Sequence, residues 1–209
     1  MSDRRIDLVS DWRDVFDGET LRGWSVACLE KDAAKIFWTV QDGTIVCDSI
    51  GRPDHDYVWL MSDTEAANFE LALEFQAFRS SPGNSGVQVR SRYERSSEAP
   101  SGGWLDGPQV DLHPPDPWRT GLIYDETREN RRWICPSLPD WNIEKQAPLP
   151  GWTFTYAEDG DGWNELSIRC TGTRIHTMLN GVTIADYDGS GLLDDADHRR
   201  HNVGMNGHI

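Results

Sequence analysis

The heptapeptide GPQVDLH, residues 107–113, places three chemically capable side chains in one row if it is a β-strand. Alternate residues of a strand point to opposite faces, so Pro108, Val110 and Leu112 go one way and Gln109, Asp111 and His113 the other. The apolar trio suits a core. In the polar trio, Asp111 and His113 are groups that move protons when their surroundings bring their pKa towards the working pH, and Gln109 can hold a hydroxyl. Asp111 with His113 could also share a divalent cation, though nothing in the sequence requires a cofactor. The stretch GVQVRSR, residues 86–92, repeats the parity: Val87 and Val89 face the core while Gln88, Arg90 and Arg92 face outward. Exposed strands usually mix Thr, Ser, Lys and Glu, whereas two such rows side by side combine Gln, Arg, Asp and His.

Three further groups belong to the candidate set. The run YDETR supplies Tyr124, Asp125, Glu126 and Arg128, which read equally as a salt-bridge cluster at a strand end or as a source of a second acid. Trp104 and Trp118 flank the QVDLH strand in loops and suit either loop packing or stacking on a sugar ring. Asn84 stands in the turn PGNSG, whose glycines are explained by backbone geometry alone. A conventional retaining glycosidase needs two carboxyl groups about 5–5.5 Å apart. Along GPQVDLH only Asp111 is a carboxylate, so a partner would have to come from across the strands, as Glu126 could.

These residues need a sheet to hold them, and the chain reads as almost wholly β. Strand-like runs are separated by Gly, Pro, Asn and Asp clusters: WSVACL (24–29), FWTVQ (37–41), TIVCDS (44–49), YVWLMS (57–62), FELALEFQAF (69–78), GVQVRSRYE (86–94), GPQVDLH and GLIYDE (121–126). WNELSIRCTG (163–172) and RIHTMLNGVTIADY (174–187) follow, with Asn180-Gly181 marking a type I′ hairpin turn. DTEAAN (63–68) is a one-turn helix candidate, and the proline-rich segment 128–152 reads as a long decorated loop. His198, His201 and His208, in HRRHNVGMNGH, read as a solvated tail rather than metal ligands. The architecture that fits is a single all-β domain, an antiparallel β-sandwich of jelly-roll type whose concave sheet carries the groove.

Composition bounds the partners. In 209 residues, 35 acidic side chains against 20 basic give a formal net charge of −15, which disfavours nucleic acid and anionic membrane surfaces. The first residues, MSDRRIDLVSDWRDVF, lack the apolar run of a secretory signal, so the expectation is a cytoplasmic location, or a periplasmic or secreted one if a leader has been trimmed. Cys28, Cys47, Cys135 and Cys170 have no CxxC spacing and read as buried free thiols. The 10 tryptophans suit a carbohydrate ligand. Oligomeric state is left open.

Six pieces in order resemble one known family, the domain of unknown function 1080, described as the 3-keto-disaccharide hydrolase domain. They are VFDGETLRGWSV, FWTVQDGTIV, NFELALEFQAF, GNSGVQVR, GPQVDLH with GLIYDETRENR, and WNELSIRCTGTRIHTMLNGVTIADY. The family pattern runs on beyond "G-H-I" into a closing strand, whereas this sequence ends at Gly207-His208-Ile209. The resemblance implies a concanavalin-like jelly roll acting on sugars whose C3 hydroxyl has become a ketone. A C3 ketone acidifies the C2 proton, so a base at C2, a stabiliser of the enediolate and an acid for the leaving group would cleave the glycoside by elimination followed by hydration. On that reading Asp111 or His113 is the base, Arg90 and Gln88 hold the C2 and C3 oxygens, and Gln109 and Tyr124 bind hydroxyls. The run with Asp125, Glu126 and Arg128 is either a structural salt-bridge cluster or the place of the leaving-group acid, Glu126 catalytic and Asp125 and Arg128 binding substrate. The rival is a lectin-like carbohydrate-binding module using the same patch without a tuned base; a plain glycosidase is a third reading.

Overall fold

The computed structural model describes residues 12–81, 83–95, 103–115, 118–138, 143 and 148–209. The expectation for the first residues falls largely outside this range. Fifteen strands are described: β1 (Trp24–Cys28), β2 (Trp38–Gln41), β3 (Thr44–Cys47), β4 (Val58–Ser62), β5 (Phe69–Phe75), β6 (Ser85–Gln88), β7 (Arg92–Glu94), β8 (Trp104–Asp106), β9 (Pro108–Leu112), β10 (Ile123–Asp125), β11 (Arg132–Cys135), β12 (Ser137–Leu138), β13 (Asn164–Thr171), β14 (Arg174–Leu179) and β15 (Val182–Asp188). A short helix, α1 (Ala196–His201), follows them.

All pairings are antiparallel. A five-stranded sheet, β12-β11-β10-β9-β6, faces a four-stranded sheet, β15-β14-β13-β5, and three two-stranded ribbons, β1-β4, β2-β3 and β7-β8, complete the set. The fold is an antiparallel β-sandwich of jelly-roll type. Its core explains the two-residue periodicity. Val110 and Ile123 from the five-stranded sheet meet Leu166, Ile168, Cys170 and Ile175 from the four-stranded one, all buried, with Phe69, Leu71, Leu73 and Phe75 packed against them. Each such side chain contributes roughly 1.5–3 kcal/mol by leaving water. The solvent face of the four-stranded sheet carries ion pairs in register, such as Arg169 Nε to Glu70 Oε2 at 3.0 Å.

The hairpin turn forms as the sequence implies, Asn180 at φ 48° and Gly181 at φ 78°, the left-handed pair a type I′ turn requires. Elsewhere the fold corrects the sequence reading. Residues 63–68 are not a helix; Ala66 instead bridges to Gly207. The loop read from 128 to 152 contains β11 and β12, and its residues 139–142 and 144–147 lie outside the described range. The supposed histidine tail is α1, capped by the Asp195 side chain accepting from the backbone N–H of His198 at 2.9 Å. The terminal residues are tied in: Ser91 and His208 form a bridge, and Ser62 N donates to Ile209 O at 2.7 Å. The four cysteines are free, but only Cys170 is fully buried, and Cys47 is exposed.

The largest correction concerns GVQVRSRYE. It is not one strand: β6 ends at Gln88, Arg90 takes a left-handed φ of 54°, and β7 begins at Arg92. One residue out of the extended conformation re-aims every side chain beyond it.

Candidate active site

In the five-stranded sheet, Val87, Val110 and Ile123 are register partners facing the core, so the next row, Gln88, Gln109, Tyr124 and Trp133, lies on the opposite face. Asp111, two residues from Gln109 and opposite Gly86, shares that face. It is fully buried. Its Oδ1 accepts from Asn84 Nδ2 at 3.0 Å and Gln109 Nε2 at 3.2 Å, and its Oδ2 lies 3.0 Å from Arg119 Nε. Arg119 arrives because the chain turns back between β9 and β10: Leu122 N bonds Arg119 O, and Asp111 and Leu122 continue the ladder. Its guanidinium sits 6.0 Å over the Trp133 ring, with the side chain 13% exposed. Burial raises the Asp111 pKa against the opposing pull of Arg119, the two amides and His113.

Glu126 is the second acid. Its side chain is 14% exposed, and burial pushes its pKa up to about 7; Arg131 opposes this, while the charges of Asp111 and Asp125 add to it. Arg131 Nε lies 4.0 Å from Glu126 Oε2, and its guanidinium stacks 4.5 Å from the centroid of Trp104. Trp104 in turn donates its indole N–H to the Glu126 carbonyl at 2.7 Å. The backbone of Arg131 sits at φ 35°, an uncommon place for a residue with a Cβ.

Gly86 is what lets the amide reach Asp111. A Cβ there would lie 2.4 Å from Gln109 Cδ and 2.5 Å from its Cγ, so the Gln109 side chain lies flat across the glycine. We expect Gly86→Ala to expel Gln109 and loosen Asp111, raising KM for a ligand of this face several-fold. Kinetics or calorimetry beside a melting curve checks this, the melt moving by no more than the 1–3 kcal/mol typical of overpacking.

The structure brings Asn84, Gln109, Asp111 and Glu126 to one face, with His113 at its edge. His113 is half-buried and its Nδ1 lies 2.6 Å from the Pro114 carbonyl, which can only accept, so that nitrogen carries the proton. Among the described residues no three His, Cys, Asp or Glu groups come together to hold a metal ion. Gln88 is buried and spends its amide on Leu105 O at 2.7 Å, and Tyr124 packs edge-on against Trp133, 1% exposed.

Of the other expected site residues, Arg90, Asp125 and Arg128 are placed elsewhere, and Trp104 and Trp118 lie beside the site but covered. Arg90 is fully buried away from this face, donating from Nε to Ala67 O at 2.7 Å and from Nη1 to Gly172 O at 2.6 Å and Gly204 O at 3.1 Å. Asp125 points to the other side of its strand, where its Oδ2 lies 3.2 Å from the Nε2 of buried His198. Burial alone would lower the His198 pKa, but Asp125 and Asp195 on either side of the ring outweigh it and the net shift is upward. Arg128 makes a two-pronged ion pair with buried Asp106, both contacts at 3.0 Å, and meets His201 at 2.9 Å. Trp104 and Trp118 are buried, Trp118 in a cluster with Leu122, Tyr124, Trp133 and Ile184, so neither offers a free stacking face. A cavity of about 350 Å³ lined by Val26, Cys28, Leu29, Tyr93 and Arg95 lies apart from both acids.

The family described as the 3-keto-alpha-glucoside-1,2-lyase-like domain matches residues 11–209. The chain belongs to this family. Among solved structures, a candidate glycosyl hydrolase from Parabacteroides distasonis ATCC 8503 superposes with a TM-score of 0.50 at 18% identity, covering 93% of this chain and 83% of that one. It shares the fold. A second candidate glycosyl hydrolase from the same organism, at 20% identity, covers 63% of this chain and 56% of that one with a TM-score of 0.35, too distant in shape to bear on the site. No curated protein matches.

For this lyase-like domain, the sequence reading missed Arg119 and Arg131. Both sit in connections rather than strands, where no periodicity says which way a side chain turns. The clue available was charge alone: each is a basic residue within ten positions of a candidate acid in, or just past the end of, an adjoining strand.

Proposed function

We propose that the chain cleaves 3-keto-glycosides by elimination and hydration, with Glu126 as the group that exchanges the C2 proton. The observation that carries this is the pair of unlike acids on one sheet face: Asp111 locked by Arg119, Asn84 and Gln109, and Glu126 with a pKa near 7. A base of that pKa is half ionised at neutrality and can both take and return a proton.

Glu126 carboxylate takes the C2 proton, and the C2–H electron pair forms the enediolate with negative charge on the C3 oxygen. Arg119, the cation on this face beside Asp111, stabilises that charge in the role the sequence suggested for Arg90. The charge returns, C1=C2 forms, and the C1–O bond breaks; the aglycone oxygen leaves with the pair and takes a proton from solvent. Water then adds its oxygen at C1 and releases one proton to solvent, replacing the one the aglycone took, while Glu126 returns the first proton to C2, so the net reaction is hydrolysis. Asp111, Gln109 and Asn84 serve as hydroxyl-binding groups and fix Arg119.

The family's name supports the substrate class, and the tuned acid favours an enzyme over a lectin-like module. The deciding assay compares a 3-keto-α-glucoside with its unoxidised parent, with and without chelator, beside Asp111→Asn and Glu126→Gln. Turnover of the keto sugar alone, lost in Glu126→Gln, is the expected result; loss with chelator would add a divalent cation. Cleavage of the parent would replace this reading with an ordinary glycosidase. Saturable binding with no cleavage would replace it with a binding module.

A further inference from the structure

One group of aromatic side chains touches the acid site without being used by the chemistry above. Tyr57, the residue before β4, is 54% exposed. It is not loose: its ring stacks on Trp59 at 5.4 Å and 17°, and it meets Trp104 edge-to-face at 5.0 Å and 80°. Trp59 meets Trp104 in the same way at 5.8 Å, and Tyr93 at 5.7 Å. Tyr57 and Trp59, two residues apart, lie on the same side of the chain, as their stacked rings show. Offset and edge-to-face packing of this kind holds each ring in one orientation, so an arriving ring would find the surface already ordered.

The assembly leads directly to Glu126. Trp104, at its centre, bonds the Glu126 backbone through the indole N–H, and its face carries Arg131, whose Nε lies 4.0 Å from the Glu126 carboxyl. Trp104 itself is covered, and Trp59 and Tyr93 are half-buried, so the most exposed ring of this aromatic group is Tyr57. A substrate whose C2 lies at Glu126 has its C1 substituent one bond further on, and the only part that leaves the reacting ring there is the aglycone.

We propose that Tyr57, backed by Trp59 and Trp104, is the aglycone subsite, selecting substrates whose leaving group carries a ring with an apolar face. The inference rests on the catalytic reading of Glu126. Both an aryl group and a second sugar present such a face, since the axial C–H side of a sugar ring stacks on aromatics. A simple alkyl aglycone does not.

The test uses the whole chain and three 3-keto-α-glucosides, with methyl, phenyl and glucosyl aglycones. The readout is the ratio of kcat/KM for each ring substrate to that for the methyl one, in the unaltered protein, Tyr57→Ala and Tyr57→Phe. Comparing ratios between proteins cancels the better leaving ability of phenol. Tyr57→Ala is expected to lower the ratio roughly three- to ten-fold, mainly through KM, and Tyr57→Phe to keep it, since the stacking face and not the hydroxyl is used. A fall for phenyl only would make the subsite aryl-specific, and a fall for glucosyl only would assign it to a second sugar. Unchanged ratios in Tyr57→Ala, or equal losses on all three substrates, would overturn the proposal. If no keto-sugar is turned over, the catalytic reading fails by itself. The platform is then decided by calorimetry with phenyl and methyl α-glucoside: phenyl-selective binding lost in Tyr57→Ala upholds a ring-binding surface, and its absence removes it.

Discussion

Replacing Glu126 with Gln is expected to abolish turnover while making the folded protein more stable above neutral pH. General acid–base catalysis contributes typically 10²- to 10⁴-fold, and that is the expected loss in kcat. In the unaltered enzyme kcat/KM should rise with pH through about 7 as the Glu126 carboxyl ionises, and the variant should lack this limb. The stability effect has the opposite sign. Burial lifts the Glu126 pKa from 4.5 to about 7, so between those values the folded chain holds a proton that the unfolded chain has released. Stability from this group is therefore complete below about pH 4.5 and is lost as pH rises through 7. From 1.36 kcal/mol per pKa unit over a rise from 4.5 to about 7, the loss is on the order of 3 kcal/mol, which the uncharged amide of the Glu126→Gln variant would not suffer. Denaturant melts at pH 5 and pH 8 check it: the two proteins should converge at the lower pH and separate at the higher. A variant that loses both activity and stability at pH 8 would make Glu126 a structural acid instead.

The second large effect separates two arginines that the sequence does not distinguish. Arg90→Met should leave three backbone carbonyls, of Ala67, Gly172 and Gly204, without their donor inside the protein. Unmade bonds of buried groups cost about 1–3 kcal/mol each, partly offset because a buried cation has been replaced by an apolar chain, so a net loss of about 3–5 kcal/mol is expected. For a protein of this size that lowers Tm by roughly 6–20 °C. Arg119→Met should do the reverse, lowering kcat by about 10²- to 10³-fold, the usual cost of losing one stabiliser of a developing oxyanion. Its effect on Tm is expected to be smaller, because Asp111, already raised in pKa by burial, can take up a proton rather than remain an unpaired charge. Thermal melts and steady-state kinetics on both variants, below their melting ranges, decide the matter. Equal Tm losses with equal activity losses would show that both act through folding.

The sandwich was legible wherever a strand keeps strict alternation over its length. FELALEF and NELSIRCT form strands whose apolar residues face the core, and Asn180-Gly181 turns between β14 and β15. Gln109 and Asp111 were legible for the same reason, standing in an unbroken strand. Arg90 was misplaced because alternation assumes an extended backbone throughout, and its left-handed φ is invisible in residue types. Asp125 and Glu126 point to opposite sides, so treating YDETR as a unit joined a core clamp to a site acid. His198 was missed since a six-residue helix offers too little periodicity, although Asp195 three positions earlier is the kind of residue that caps one. Arg119 and Arg131 depend on the path of connections, which no short-range pattern encodes.

The three carbonyls that Arg90 holds lie 23, 82 and 114 residues along the chain from it. A clasp of that reach closes only after both sheets and the segment around Gly204 have come together, because each long loop must be closed before the bonds reward it. Its bonds are thus expected to form after the folding transition state, although all three are present in the native one. In time rather than energy, Arg90 acts as a latch: it scarcely hastens assembly but slows escape. Arg90→Met should steepen the loss of enzyme on storage through faster unfolding, with refolding rates almost unchanged in a stopped-flow chevron.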